Sequence, residues 1–445
     1  MKTKFRFASL VGVVAIVAAA CGGTGATTAP TTAAPTTAAP TAAPTTAAST
    51  APSTAASEAP SAAATAAPLT GAITVWEAYG ASGSAEKTAF DAAVKSVMAA
   101  NPGLTVTVLD VPFANLFTKF ETEAASGGGP DLYIAPNDSV GKEARAGLLK
   151  DLSSMSATLM AAPYNISQTA ITADTVDGKL SAIPESMKAV ALFYNSATLS
   201  TPPKTTADWL TAAKTTPLGL VYGANGGGAY YQWGLYGAFG GKILDETTGK
   251  CAATASTGVA DSMKFLTDFK AAGGKLYQND TDAKTDFLAG KIAGFIDGPW
   301  QTGDLQKALG DKLAVVPGPS GSGGDFSPMA APDGYYINAS SANQDLAIQF
   351  ALQMLSPENV KPFVDNAGHI PANTELAAAV AAGTNVISKG FAQQVATGFA
   401  RPTAKELDNY WTPFGNAIAS VVEKGTDPTT AVADACTQMD KANGK

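Results

Sequence analysis

Residues 72–135 decide the fold. They open with Ala72-Ile73-Thr74-Val75-Trp76, a short apolar run bounded by Gly71 and Gly80, which reads as a strand. Ser84 then opens a helix on which Ala89, Phe90, Ala93, Val94, Val97 and Met98 recur at helical spacing, and Asn101-Pro102-Gly103 stops it. Thr105 to Asp110 alternates as a second strand. Phe113, Leu116, Phe117, Phe120 and Ala124 give a second helix, ended by Gly127-Gly128-Gly129, and Pro130 to Ala135 is a third strand. Strand alternating with helix predicts an α/β fold with a parallel sheet covered on both faces. Ligands of such sheets bind beyond the carboxyl ends of the strands. Trp76-Glu77-Ala78-Tyr79 and Pro136-Asn137-Asp138 are therefore the first candidate site residues.

Further along, residues 188–333 repeat the mixed pattern with more aromatics. Tyr230, Tyr231, Trp233 and Tyr236 put four rings in seven residues. Helices follow near 258–272 and 281–290. The strand Ile292 to Asp297 then runs into Gly298-Pro299-Trp300, and segments near 340–365 and 402–440 read as helices. A chain of 445 residues exceeds what one core usually holds, so two domains are expected.

The N-terminus is of another kind. Residues 1–21 read as a signal peptide: Lys2, Lys4 and Arg6 precede an apolar stretch from Phe7 to Ala20, too short to span a bilayer of about 30 Å. Ala18-Ala19-Ala20-Cys21 resembles a lipobox with Ala18 in place of the usual Leu, so Cys21 is the candidate lipidation site and ordinary cleavage with secretion is the alternative. Residues 22–68 are a disordered Thr/Ala/Pro linker with one charge, Glu58, and no large apolar side chain to drive ordering. They read as a stalk lifting a domain off a membrane, or as a passive spacer.

Composition excludes several chemistries. Asp and Glu exceed Lys and Arg by 37 to 29, giving a net charge of −8, which argues against nucleic acid as partner. Three cysteines and one histidine cannot furnish a Cys/His zinc site, and no metal or cofactor is indicated. No Gly-Lys pair is followed by Ser or Thr, so there is no P-loop. His369 precedes Ile-Pro and reads as a satisfied surface or hinge residue.

These landmarks, in this order, resemble the family-one extracellular solute-binding proteins typified by maltose-binding protein. The resemblance rests on Gly129-Pro130-Asp131-Leu132-Tyr133 followed by Ala146-Gly147-Leu148-Leu149, and on Gly178-Lys179-Leu180, Ile183-Pro184 and Leu192-Phe193-Tyr194-Asn195. It continues in Phe287-Leu288-Ala289-Gly290-Lys291, Asp297-Gly298-Pro299-Trp300, Tyr336-Ile337-Asn338-Ala339 and Tyr410-Trp411, so that it covers about residues 70–440. It implies a two-lobed periplasmic-binding-protein-like fold of type II, with the ligand cleft between lobes joined by hinge strands. Lobe one would be 69–187 plus 334–372 and lobe two 188–333 plus 373–445, with crossings near Met187, Gly334 and Ala372. It also implies a substrate-binding protein of an ABC importer, not an enzyme. The expected location is outside the cytoplasm, lipid-anchored to the outer face of the membrane, with permease subunits as partners and a monomer as the default.

A pyranose offers C–H faces that stack on aromatic rings and hydroxyls that both donate and accept. Carried over by position, Trp300 and Trp411 fall where the family has stacking rings, Tyr230 and Tyr231 lie in its aromatic segment, and Asp138 matches a ligand-binding carboxylate. Trp76, Glu77, Asn137, Asp297, Asp333 and Gly334 complete the expected ligand set with Lys188. Trp76 reads equally as core, Asn137 and Asp138 as helix caps, Asp297 as a cap or turn, and Asp333-Gly334 as a tight turn. Lys188 stands where the maltose binder has a glutamate, and Gly80 and Ala81 where it has an Asp-Lys pair, which puts maltose itself in doubt. Cys251 and Cys436 both map to lobe two, where a disulfide is feasible; two separate thiols are the alternative. The leading expectation is a carbohydrate binder. The rivals are a binder of a glycerol phosphodiester or polyamine, a glycoside hydrolase using two of Glu77, Asp138, Asp297 and Asp333, and an adhesion module without a cleft.

Overall fold

The computed structural model describes residues 67–80, 84–223 and 227–445. The leader, Cys21 and nearly all of the linker lie outside the described residues. Thr70–Glu77 pairs parallel with Gly103–Asp110 along its whole length and with Leu132–Pro136 on its other side. Ser84 caps the intervening helix Ala85–Ala100, its side chain accepting from the Lys87 N–H at 3.1 Å. Because successive strand residues point to opposite faces, Ile73 and Val75 join Phe90 and Val94 in one core, while Trp76 joins Leu116, Phe120 and Tyr133 in another. Both faces of the sheet are thus covered.

The sheet is mixed rather than purely parallel, which corrects the sequence expectation. Met329–Ile337 runs antiparallel to Leu132–Pro136, and Ile183–Lys188 runs antiparallel to Met329–Ile337. The chain leaves this sheet at residue 188 and returns to it at 329. A strand arriving from elsewhere enters in the opposite sense to the strands of the strand–helix–strand units. The full order is 370–371, 183–188, 329–337, 132–136, 70–77, 103–110, with Phe399–Ala400 added beside Met329 and Ala330.

A second, five-stranded sheet has the order 275–277, 219–221, 294–297, 191–195, 313–316. Its first three strands are parallel, and Ala191–Asn195 is antiparallel to both of its neighbours. It has its own core, built on Trp209, Phe269, Phe295, Tyr236, Tyr410 and Phe414. The molecule is therefore two-lobed, each lobe formed on one sheet. The expected helix near 340–365 is two helices, Gln344–Met354 and Pro357–Ala367, because Ser356 caps the second and Pro357 occupies its first turn. Cys251 and Cys436 are joined by a disulfide with Cα atoms 5.3 Å apart, tying a short strand to the helix Pro428–Ala442. Among the described residues no helix is long and apolar enough to cross a membrane.

Candidate functional site

Three segments carry the chain between the sheets, and they lie side by side. In register, Met187 pairs with Pro332 on one side and with Ile370 on the other. Four charged side chains converge there from different elements. Lys188 Nζ donates to Asp333 Oδ2 at 2.6 Å and to Glu86 Oε1 at 2.8 Å. His369 Nε2 lies 2.7 Å from the same Glu86 oxygen. Its Nδ1 lies 3.2 Å from Ser186 Oγ and 3.4 Å from Glu185 Oε2. Tyr79 closes the group: its hydroxyl donates to Asp333 Oδ2 at 3.4 Å, and its ring lies 5.6 Å from the Lys188 ammonium.

Burial sets the electrostatics of this network. Burial and the Lys188 charge both oppose a proton on His369, but hydrogen bonds to Glu185 and Glu86 prevail and raise it to about 9. Glu86 is pushed up by burial, yet Lys188 and His369 bring it down to about 2. Burial disfavours the Lys188 ammonium, and Asp333 followed by Glu86 more than offset this, so it is held above its ordinary value. Glu86, Asp333 and His369 come close enough together to chelate a metal, but the cation between the two carboxylates is the ammonium of Lys188. His369 is fully buried rather than a surface residue. Its position at the third crossing supplies enough acceptors to satisfy both ring nitrogens.

The aromatic residues assemble in the second lobe. Gly294–Asp297 ends at Asp297, whose Oδ1 accepts from the Gly298 N–H at 2.7 Å and from the Tyr231 hydroxyl at 3.0 Å. Burial raises the Asp297 carboxyl to about 7. The Trp300 indole folds back over Gly298 so closely that a Cβ there would sit 2.1 Å from the ring. Glycine is thus required by the ring rather than by the backbone angle. Tyr230 lies 6.4 Å from Trp300 and 5.5 Å from Tyr231, ring centre to ring centre. Trp411 begins the helix Trp411–Lys424, and its neighbour Tyr410 donates to Ala229 O at 2.8 Å, which fixes that helix against the tyrosine segment. Trp233 is core, packed on Phe399 and Tyr410.

From the first lobe only Asp138 reaches this corner. It pairs with Arg401, whose guanidinium lies 5.0 Å from the Trp411 ring. Burial raises the Tyr230 phenol, Arg401 opposes this, and Asp138 and Asp297 add to it, so all three charges act on one hydroxyl. The other expected site residues on or beside the first sheet are turned elsewhere. Trp76 is 3% exposed and packed in the lobe core, with the Lys119 ammonium 4.4 Å over its ring. Glu77 is fully buried, accepts from the Tyr79 N–H at 2.7 Å and pairs with Lys87 at 3.5 Å. Asn137 donates to Ala173 O at 2.8 Å instead of capping a helix. Lys188 and Asp333 are committed to each other, and Gly334 is interior strand rather than turn. Glu86 and Arg401 were not singled out by sequence, and His369 was read there only as a satisfied surface or hinge residue. The one available signal was scarcity: His369 is the single histidine, and Arg401 is one of three arginines in the whole chain.

A cavity of about 750 Å³ lies beside Arg401 and between Arg145, Thr175, Thr248, Thr403 and Glu406. No tryptophan or tyrosine lines it, so the rings and not this hollow mark the candidate site.

Comparison with known proteins agrees with this architecture. The bacterial extracellular solute-binding protein family matches residues 92–390. The chain belongs to this family. It is 25% identical over 342 residues to the galactooligosaccharide-binding protein of Bacillus subtilis, covering 74% of this chain and 80% of that one. It is 23% identical to a maltooligosaccharide ABC transporter solute-binding lipoprotein of Streptococcus pneumoniae, covering 72% and 78%. Among solved structures, the Thermus thermophilus maltotriose-binding protein bound with maltotriose superposes with a TM-score of 0.72 at 26% identity, covering 84% of this chain and all of that one. The Streptomyces glaucescens GacH receptor, at 23% identity, gives a TM-score of 0.74 with 84% and 98% covered, which speaks to the fold. As a member of an extracellular family, the solute-binding chain acts outside the cytoplasm.

Proposed function

We propose that this solute-binding protein captures an oligosaccharide in the cleft between its lobes and delivers it to the permease of an ABC importer, without chemical turnover. The observation that carries this reading is the aromatic corner at the carboxyl end of Gly294–Asp297, where Tyr230, Trp300 and Trp411 stand beside Asp138. Rings for C–H faces next to groups for hydroxyls are what a sugar requires. The relatives named above, which bind galacto- and maltooligosaccharides, support it. The rival charged solute has little to attract it, since Lys188 is already neutralised inside the hinge. A hydrolytic pair is also disfavoured, because Glu77 and Asp333 are each buried and engaged with a lysine, Asp138 pairs with Arg401, and Asp297 accepts from Tyr231 and the Gly298 N–H. In this reading lobe one is 69–187 with 334–372, lobe two is 188–333 with 373–445, and Cys21 carries the lipid that anchors the stalk. Trp76, Glu77, Lys188 and Asp333 then shape the floor rather than touch sugar.

The test is a melting-shift panel of maltooligosaccharides, galactooligosaccharides, glycerol phosphodiesters and polyamines on the purified protein. An oligosaccharide at 1,000 times its dissociation constant stabilises by about 4.1 kcal/mol. The expected result is a shift with one oligosaccharide class that is lost in Trp300→Ala and in Trp411→Ala. A shift with charged solutes only, or release of reducing ends from the sugar, would overturn the reading.

A further inference from the structure

Trp300 belongs to the second sheet by chain order but rests on helices of the first. It follows the strand Gly294–Asp297 and sits in the short turn Pro299–Gln301, which runs straight into the helix Thr302–Leu309. The ring is partly exposed, whereas Pro299, Gln301 and Thr302 around it are buried. Two small residues meet this turn from the other side. A Cβ on Gly303 would lie 2.6 Å from Ala85 Cβ, and one on Gly368 would lie 2.8 Å from Thr302 Oγ1 and 3.5 Å from Pro299 Cβ. Gly368 is also the left-handed cap of Pro357–Ala367, with φ +72°, so a side chain there is opposed both by the backbone and by Thr302. The ring-bearing turn is thus seated between the first turn of Ala85–Ala100 and the end of Pro357–Ala367, two helices that pack on each other.

Each half of this seat is continued by a residue of the hinge network. Glu86 follows Ala85 and His369 follows Gly368, and their side chains meet, His369 Nε2 lying 2.7 Å from Glu86 Oε1. The same oxygen accepts from Lys188 at 2.8 Å, which ties the pair to the first crossing. His369 is fully buried and the Glu86 side chain is 12% exposed, so solvent screens their bond far less than a surface pair. Glycine at 303 lets the helix backbone approach Ala85 directly, so a shift of the first turn of Ala85–Ala100 passes to the Trp300 turn with no flexible side chain between them. We propose that Glu86 and His369 are positioning residues for Trp300: their bond fixes the seat formed by Ala85 and Gly368, and so sets the ring on which the oligosaccharide stacks. This rests on the carbohydrate reading above, which makes Trp300 a stacking ring.

The experiment reads the ring and the sugar separately. The emission of Trp300, one of five tryptophans, is isolated as the difference between each protein and the same protein carrying Trp300→Phe. Calorimetry with maltotriose and β-1,4-galactotriose gives the affinity, and melting shows that each variant is folded. Glu86→Ala and His369→Gln should each shift the Trp300 spectrum before any sugar is added. Both should weaken the trisaccharide that the unaltered protein binds by about three- to tenfold, the share of affinity that a displaced aromatic ring forfeits. Gly303→Ala leaves every charge of the network in place and forces the turn off Ala85, so it should reproduce both effects. Folded Glu86→Ala and His369→Gln proteins that bind less but keep the Trp300 spectrum unchanged would overturn this inference, because the loss would then not pass through the ring. So would a shifted spectrum with unaltered affinity. The carbohydrate reading stands in both cases. No binding of either trisaccharide by the unaltered protein would overturn both.

Discussion

Replacing Lys188 by Met keeps the length of the side chain and removes its charge. The ammonium is 7% exposed and lies within 2.8 Å of both Glu86 and Asp333. Without it, two carboxylates remain buried with Glu185 nearby, and His369 is the one remaining cation in the cluster. Removing one partner of a buried ion pair costs about 3–5 kcal/mol, because the other charge stays behind. At about 2.1 cal/mol/K per residue, a folded region of roughly 370 residues shifts by about 1.3 °C per kcal/mol, so the midpoint should fall by about 4–6 °C. The carboxylates can escape by taking up protons, so the deficit should be larger at pH 8 than at pH 5. Urea unfolding at the two pH values measures it. A control carries Lys188→Met with Glu86→Gln and Asp333→Asn. That variant leaves no stranded charge and should recover most of the loss. The reasoning fails if Lys188→Met stays within about 1 kcal/mol of the parent at pH 8, or if the triple variant recovers nothing.

Two further substitutions separate the hinge from the site. His369 faces Glu86, Glu185, Asp333 and Lys188, and its folded value of about 9 lies above the ordinary 6.5. Its contribution is therefore complete below pH 6.5 and is lost as pH rises through 9, so His369→Gln should flatten the stability–pH curve in that window by up to a few kcal/mol; an unchanged slope would count against a charged His369. Gly298→Ala would place a Cβ 2.1 Å from the Trp300 ring. The indole must swing out, so oligosaccharide affinity measured by calorimetry should drop by about tenfold or more while the melting point changes little; unaltered affinity would remove Trp300 from the site.

Local structure was legible because the early strands and helices obey their own periods. Ile73, Val75, Phe90 and Val94 face one core as their spacing requires, and Ser84 caps the helix it precedes. Sheet direction was not legible, since Met329–Ile337 reads the same whether it enters parallel or antiparallel. The aromatic corner was visible as a cluster of rings around Gly298 and Tyr230. Asp138 was visible at the end of a predicted strand, but its partner Arg401 was not, because the two are 263 positions apart and Arg401 lies in no patterned segment. Trp76 shows the opposite failure. Its position after a strand suggested the cleft, but alternation along that strand turns it to the face covered by Leu116 and Phe120. The hinge network was hidden for a related reason: Lys188 and Asp333 were read as ligand contacts, His369 as a surface or hinge residue and Glu86 not at all, and their mutual pairing emerges only when the three crossings lie side by side.

That arrangement separates rigidity from closure. The crossings are held by charges that satisfy one another inside one sheet, so a rotation of the lobes about element ends need not break them. What a rotation would break lies further out, and includes the Asp138–Arg401 pair, the bonds of Thr403 with Arg145 and Thr175, and the contact between the helices Ala85–Ala100 and Thr302–Leu309, where Gly303 lies against Ala85. Asp138 is about one third exposed, and an ion pair of that kind contributes of order 0.2–1 kcal/mol. At 1.4 kcal/mol per factor of ten, the pair shifts an open–closed equilibrium by no more than about fivefold. In the proposed mechanism a sugar stacked on Trp300 and Trp411 would bring several kcal/mol of differential contact to the closed form. The ligand, and not the lobe-to-lobe ion pair, therefore decides when the cleft is shut.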